Sequence, residues 1–149
     1  MNQTLIGRKE EMGMLKKYFH SNRSEFIAVY GRRRVGKTFL MRKAAEEQFA
    51  FYVTGVHGAS KSEQLTNFAI ALQKHTKSAS LSVPKNWILA FYALSNYLET
   101  LPDGPKLIFI DELPWMDTAK SGFIPALENF WNSWAALRED VKLVVCGSA

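Results

Sequence analysis

Residues 31 to 38 read Gly-Arg-Arg-Arg-Val-Gly-Lys-Thr and directly follow the apolar run Phe26 to Tyr30. A G-x-x-x-x-G-K-[ST] segment set between a strand pattern and a helical one constrains the chain strongly, because such a loop works as the corner of a β-loop-α unit. Gly31 and Gly36 let the backbone bend, so that the amides running through Arg32, Arg33, Arg34, Val35, Gly36, Lys37, Thr38 and Phe39 converge on one anion. Lys37 then extends to the β- and γ-phosphates of a nucleotide, and the Thr38 hydroxyl is set to ligate Mg²⁺.

A second chemical signal stands about seventy residues downstream, where the apolar run Leu107 to Ile110 ends in Asp111 and Glu112, followed by Leu-Pro-Trp115. A buried strand whose carboxyl end carries an acid is what a nucleotide site on a parallel sheet requires. Asp111 is the candidate for the Mg²⁺ shell through water, since that cation prefers hard oxygens and retains several waters. Glu112, one position on, can orient or deprotonate the water that attacks a γ-phosphate.

Charge is distributed unevenly. Residues 1 to 43 hold eleven Lys/Arg against three Glu, a net of +8 within a total of +5, so the remainder carries −3. A polyanionic ligand such as ATP accounts for part of this positive field. Nucleic acid is the alternative polyanion, but the basic residues lack the interleaved aromatics of single-strand binders. Arg32, Arg33 and Arg34 could meet phosphates, nucleic acid or a neighbouring subunit, or simply face water. A chain of 149 residues with one cysteine, Cys146, reads as one domain, 1–149, with no internal disulfide. Its N-terminus is polar rather than a signal peptide, and its apolar runs are too short to span a bilayer, so a cytoplasmic location and no membrane contact are expected.

Periodicity divides the chain into alternating elements. Met12, Leu15 and Phe19 predict a helix over 8–20, followed by a strand at 26–30, a helix over 37–48 and a strand at 50–54 broken by Gly55. Two helical stripes come next, Leu65, Phe68, Ala69 and Leu72, then Trp87, Phe91, Leu94, Leu98 and Leu101, before a Pro102 to Pro105 turn. A strand at 106–110, a helix over 124–138 with Leu127, Phe130, Trp134 and Leu137 on one face, and a strand at 141–146 complete the pattern. Trp115 is expected against the helix carrying Trp131 and Trp134. His20, His57 and His75 share no element and no metal-ligand spacing, and read as surface or helix-end residues. Strands separated by helices imply an α/β fold, a mainly parallel sheet with helices on both faces, whose carboxyl edge gathers Gly31 to Thr38, Asp111, Glu112 and Ser148 into one cleft.

Five segments together carry a family resemblance: Leu5 to Glu11, Tyr30 to Thr38, Asn86 to Phe91, Ile110 to Trp115 and Val145 to Ala149. With them the chain resembles, over nearly its whole length, the prokaryotic or archaeal-type ATPases of the AAA+/STAND branch of P-loop NTPases. The resemblance implies a three-layer P-loop NTPase fold, with Leu5, Ile6, Gly7 and Arg8 against adenine and Ser148 at the polar sensor position near the γ-phosphate. It also implies a fifth strand, a helical lid and a further C-terminal domain beyond Ala149. In such a sheet the fifth strand would lie beside residues 26–30, so an open edge, and self-association or a packed partner there, are expected. The leading expectation is Mg²⁺-dependent ATP binding and hydrolysis, with Lys37, Glu112 and Ser148 in catalytic roles and a coupled conformational change. The alternatives are a nucleotide-gated or DNA-associated switch with little turnover and a P-loop kinase.

Overall fold

The alternation read from the sequence is built as a parallel sheet between two helical layers. This computed structural model describes the backbone of residues 2–31, 37–46 and 48–148, and the side chains of residues 10–29, 41–46 and 48–147. Its elements in chain order are α1 (Asn2–Phe19), β1 (Glu25–Gly31), α2 (Lys37–Ala44), β2 (Phe51–Thr54), α3 (Lys61–Thr76), α4 (Trp87–Glu99), β3 (Lys106–Asp111), α5 (Leu113–Met116), α6 (Phe123–Ser133) and β4 (Val141–Ser148). The strands pair in the order β1-β4-β3-β2, and every pairing is parallel.

Side-chain alternation along the two central strands creates two cores. Leu107 and Phe109 of β3, with Val144 and Cys146 of β4, pack against Leu15 and Phe19 of α1 and Met41 and Ala44 of α2. The intervening residues Ile108, Ile110, Leu143 and Val145 face the opposite layer, where they meet Leu65 and Phe68 of α3, Trp87, Phe91 and Leu94 of α4, and Phe123, Leu127 and Phe130 of α6. Both faces of the sheet are therefore covered, which is why these strands read as continuous apolar runs rather than alternating ones. Among the described residues, no helix is long and apolar enough to cross a membrane.

Several details differ from the sequence expectation, among them the end of α2 at Ala44 rather than residue 48. The first helix begins at Asn2 rather than residue 8, and so includes Leu5 to Arg8. A short helix, α5, occupies the segment expected to be a loop after β3; four residues are too few to show a helical period. The last helix ends at Ser133, and a single 3-10 turn, Ala135–Leu137, follows it. Leu137 is in consequence 79% exposed instead of buried, because the chain leaves helical geometry at Trp134 (φ −133°) and the 3.6-residue stripe no longer carries its side chain inward. Finally, the Trp115 ring lies 5.0 Å from that of His57, whereas Trp131 meets Phe26 and Trp134 meets Phe130.

The end of the sheet opposite Gly31 and Asp111 is fastened by cations. Lys142, fully buried, donates to the Ser21 carbonyl and hydroxyl at 3.0 Å each, and also to the Arg23 carbonyl. Lys106 pairs with Asp140 at 2.9 Å, and the Arg138 guanidinium grips the same carboxylate through two bonds of 2.9 Å. Hydrogen bonding from Arg138, then from Lys106, overcomes burial and holds the Asp140 carboxyl at about 2.

The two edge strands are treated differently. On β2 the outward-facing backbone groups are capped from α3: the Tyr52 N–H donates to Nε2 of His75 at 3.1 Å, and the Thr54 carbonyl accepts from the Asn67 amide at 2.7 Å. His75 is thus a helix-end residue with a structural duty, and it must be unprotonated at Nε2 to accept. Burial lowers its pKa from the ordinary 6.5, outweighing the opposing effect of the Tyr52 bond. The unfolded chain therefore binds this proton at a higher pH than the folded one, so the stabilisation is complete above 6.5 and is lost as pH falls through the folded value. Urea midpoints measured from about pH 8 down to pH 5 should decline on the acid side. The decline should be smaller in His75→Gln, which keeps an acceptor without the titration; an identical slope in both proteins would exclude His75 as its source. On β1, bonded to β4 alone, no described residue caps the outer edge, and Phe26 is 42% exposed.

Candidate functional site

The candidate site is assembled at the carboxyl ends of the strands. Gly31, the last residue of β1, stands level with Ser148, the last residue of β4. The neighbouring pair Ile110 and Val145 sets β3 beside β4, so Asp111 ends its strand next to Cys146, and Ser148 lies two residues further along. Lys37, Thr38 and Phe39 form the first turn of α2. The loop positions Arg32, Arg33, Arg34, Val35 and Gly36 lie outside the described residues, but both of their anchors, Gly31 and Lys37, are described. Ile6, Gly7 and Arg8 lie within α1, the helix whose later residues Leu15 and Phe19 pack against α2.

Asp111 is buried, at 7% exposure, and follows Phe109 by two residues. Strand alternation therefore aims its carboxylate toward the α1/α2 layer, on the same face as Tyr52. Burial, and next the charge of Asp111, push the Tyr52 hydroxyl pKa upward, which reports the closeness of the two groups. One carboxylate oxygen, Oδ1, accepts the Glu112 N–H at 2.9 Å and so fixes the carboxylate against its own turn.

At Glu112 the chain leaves the strand in a left-handed conformation, φ 53° and ψ 45°. For a residue with a Cβ this costs about 1 to 2 kcal/mol, and such strain persists only where neighbours over-determine it. Three neighbours do so here. The Gly55 N–H donates to the Asp111 carbonyl at 2.9 Å, and a Cβ on Gly55 would sit 2.5 Å from the Glu112 carbonyl oxygen, so the strand-end residue beside this turn must be glycine. The Pro114 ring lies against Gly147, where a Cβ would come within 3.0 Å of it. The amide of Gln64, fully buried on α3, donates to the Trp115 carbonyl at 3.0 Å. Glu112 itself is 9% exposed, and its carbonyl accepts the Trp115 N–H at 3.1 Å.

Gln64, Pro114 and Gly147 were not singled out from the sequence, and Gly55 was read only as the residue that ends a strand. Gln64 had a legible signal, since it is a polar residue standing on the buried stripe with Leu65, Phe68 and Ala69. The others are recognisable only once the turn they support is known.

The Asp111 carboxylate supplies the hard oxygen that Mg²⁺ favours. Among the described residues no group of three or more His, Cys, Asp or Glu is arranged to hold a metal.

Comparison with known proteins agrees with this geometry. The model of an ATPase domain predominantly from Archaea matches residues 5–149. An uncharacterized protein of Methanocaldococcus jannaschii is 34% identical over 109 residues, which cover 73% of this chain and 22% of that protein. An uncharacterized ATP-binding protein of the same organism is 44% identical over 43 residues, covering 29% of this chain and 73% of that protein. Among solved structures, a Walker-type ATPase of Pyrococcus abyssi superposes with a TM-score of 0.61 at 17% identity, covering 94% of this chain and 44% of that one. A chain from Drosophila ORC bound to DNA superposes with a TM-score of 0.51 at 15% identity, covering 100% of this chain and 78% of that one. These two likenesses establish the three-layer P-loop NTPase fold. The chain thus spans about a fifth of the first relative's length and under half that of the Pyrococcus structure.

Proposed function

We propose a reaction from one premise: this chain belongs to the family of ATPase domains found predominantly in Archaea, whose model matches residues 5–149. The reaction is hydrolysis of ATP, and its purpose is to couple nucleotide state to a conformational change in an attached or associated module. Backbone amides from Gly31 to Phe39, with Arg32, Arg33, Arg34, Val35 and Gly36 between the two described anchors, hold the phosphates. Lys37 neutralises charge on the β- and γ-phosphates. Ile6, Gly7 and Arg8 lie against the adenine, and Ser148 senses the γ-phosphate or the attacking water.

Thr38 and Asp111 are the residues that would hold Mg²⁺, which when bound offsets phosphate charge. Glu112 orients a water and accepts its proton as the water oxygen bonds to the γ-phosphorus and the bond to the departing ADP oxygen breaks. The observation that carries this reading is the convergence, on one sheet edge, of the end of β1, the start of α2 and the buried Asp111. Asp111 lies two strand spacings, about 9.5 Å, from the β1 axis, which leaves room for a phosphate chain and its cation between them. Release of free phosphate from Mg-ATP, and its loss in Glu112→Gln, tests the reading. Phosphate appearing instead on an acceptor molecule would turn it into a kinase.

The outer edge of β1, which no described residue caps, supports a second part of the proposal, pairing of another chain along residues 26–30. Its sign is a concentration-dependent increase in sedimentation coefficient, accompanied by slowed amide exchange of those residues. A monomer at all concentrations, with rapid exchange there, would remove it.

A further inference from the structure

We infer that Gln64 is a positioning residue for Glu112, an assignment that rests on the hydrolytic reading above. Gln64 is fully buried, and its amide is used on both sides. Oε1 accepts the Val56 N–H at 3.1 Å, while Nε2 donates to the Val56 carbonyl at 2.6 Å and to the Trp115 carbonyl at 3.0 Å, with a longer contact of 3.4 Å to the Ala59 carbonyl. One side chain therefore ties the loop after β2 to α5, the turn that begins at Glu112.

The anchor itself is rigid. Ser60 and Glu63 close a reciprocal capping box at the start of α3, with bonds of 3.2 and 2.9 Å, and the Gln64 N–H continues it by donating to the Ser60 carbonyl at 2.9 Å. The chain of bonds then runs from α3 through the Gln64 amide to the Trp115 carbonyl, and from the Trp115 N–H to the Glu112 carbonyl at 3.1 Å. Gly55, at the end of β2, leaves the space beside that same carbonyl that a Cβ would fill.

A left-handed glutamate at the exit of β3 is a conformation the backbone would leave if released. Its neighbour Asp111 is held differently, as the last residue of a strand paired on both sides. Loss of the Gln64 bond therefore loosens the Glu112 turn from its Trp115 end, while the Asp111 backbone stays held by its pairing with β2 and by the Gly55 N–H. The consequence is selective: nucleotide affinity, which depends on the phosphate loop and Asp111, is kept, and the chemical step is slowed. A displacement of about 1 Å at a catalytic group can cost on the order of a hundredfold in rate.

The experiment is a double-mutant cycle on the full chain with Mg-ATP as the probe. Gln64→Met, which keeps length and removes every side-chain bond, and Gln64→Glu, which keeps the shape and the acceptor for Val56, are each measured alone and with Glu112→Gln. Folding at the assay temperature is checked by circular dichroism. The expected result is a kcat lowered about ten- to a hundredfold, an ATP Kd within about threefold of the parent, and no further loss when Glu112→Gln is already present. Exchange of the Trp115 amide should rise in the Gln64 variants while that of Ile108 does not. Unchanged kcat in both folded Gln64 variants, or a loss that simply multiplies with that of Glu112→Gln, would overturn the assignment while leaving the hydrolytic reading standing. Parental turnover in Glu112→Gln alone would instead overturn that reading, and the assignment with it.

Discussion

Lys37→Ala is expected to abolish most of the stabilisation that Mg-ATP confers on this chain. A ligand at about one hundred times its dissociation constant stabilises the folded state by about 2.7 kcal/mol. For a domain of this size that corresponds to a rise in Tm of about 5 to 11 °C. Lys37 opens α2 immediately after the phosphate loop, and its removal takes a cation away from the most highly charged part of the ligand. If affinity falls about a hundredfold, the same ATP concentration only equals the new dissociation constant, and the stabilisation drops to about 0.4 kcal/mol, a shift of about 1 °C. Alanine is the best helix former, so the ligand-free Tm should hardly move. Lys85→Ala, at an exposed position before α4, serves as the control for a general loss of positive charge. Parental ATP stabilisation in the Lys37 variant would mean that the nucleotide, if it binds, does not use this loop.

The prediction rests on a sequence signal of unusual strength, and a comparison with the rest of the chain shows why. The strand ending in Asp111 was readable because four apolar residues are closed by an acid, and the β1 and α2 elements that flank residues 32–36 were readable because glycines mark a corner between two periodic runs. The parallel sheet with helices on both faces followed from the alternation of those runs. The order β1-β4-β3-β2 did not follow from periodicity, because which strands become neighbours is decided by packing between segments far apart in the chain. Nor could the left-handed Glu112 be read. Nothing in the pattern of glutamate after aspartate distinguishes a strand that continues from one that turns, and the residues that force the turn, Gly55, Gln64 and Gly147, arrive from three other segments. Leu137 shows the opposite failure, a correct period extended past the point where the helix ended.

Glu112→Gln separates binding from chemistry, and it is expected to lower turnover by about a hundredfold or more while ATP still binds. Glutamine has the shape of glutamate and can still hydrogen-bond a water, but it cannot take the proton that the attacking water must lose. General-base contributions are commonly about 10² to 10⁴ in rate. Gly55, Pro114 and Gln64 support the backbone of this turn and are unchanged in the amide variant, which should therefore retain the left-handed turn. Replacing a carboxylate by a neutral group near the phosphates also removes a repulsion, so the dissociation constant for Mg-ATP should stay level or decrease. The measurement is single-turnover phosphate release alongside equilibrium binding of Mg-ATP. Tight binding with slowed release places the contribution of Glu112 in the chemical step rather than in nucleotide binding. Equal phosphate release by parent and variant would reduce Glu112 to the residue that turns the chain from β3 into α5. Strong binding with no release from either protein would favour a nucleotide-gated switch, in which occupancy of the loop, rather than hydrolysis, carries the signal.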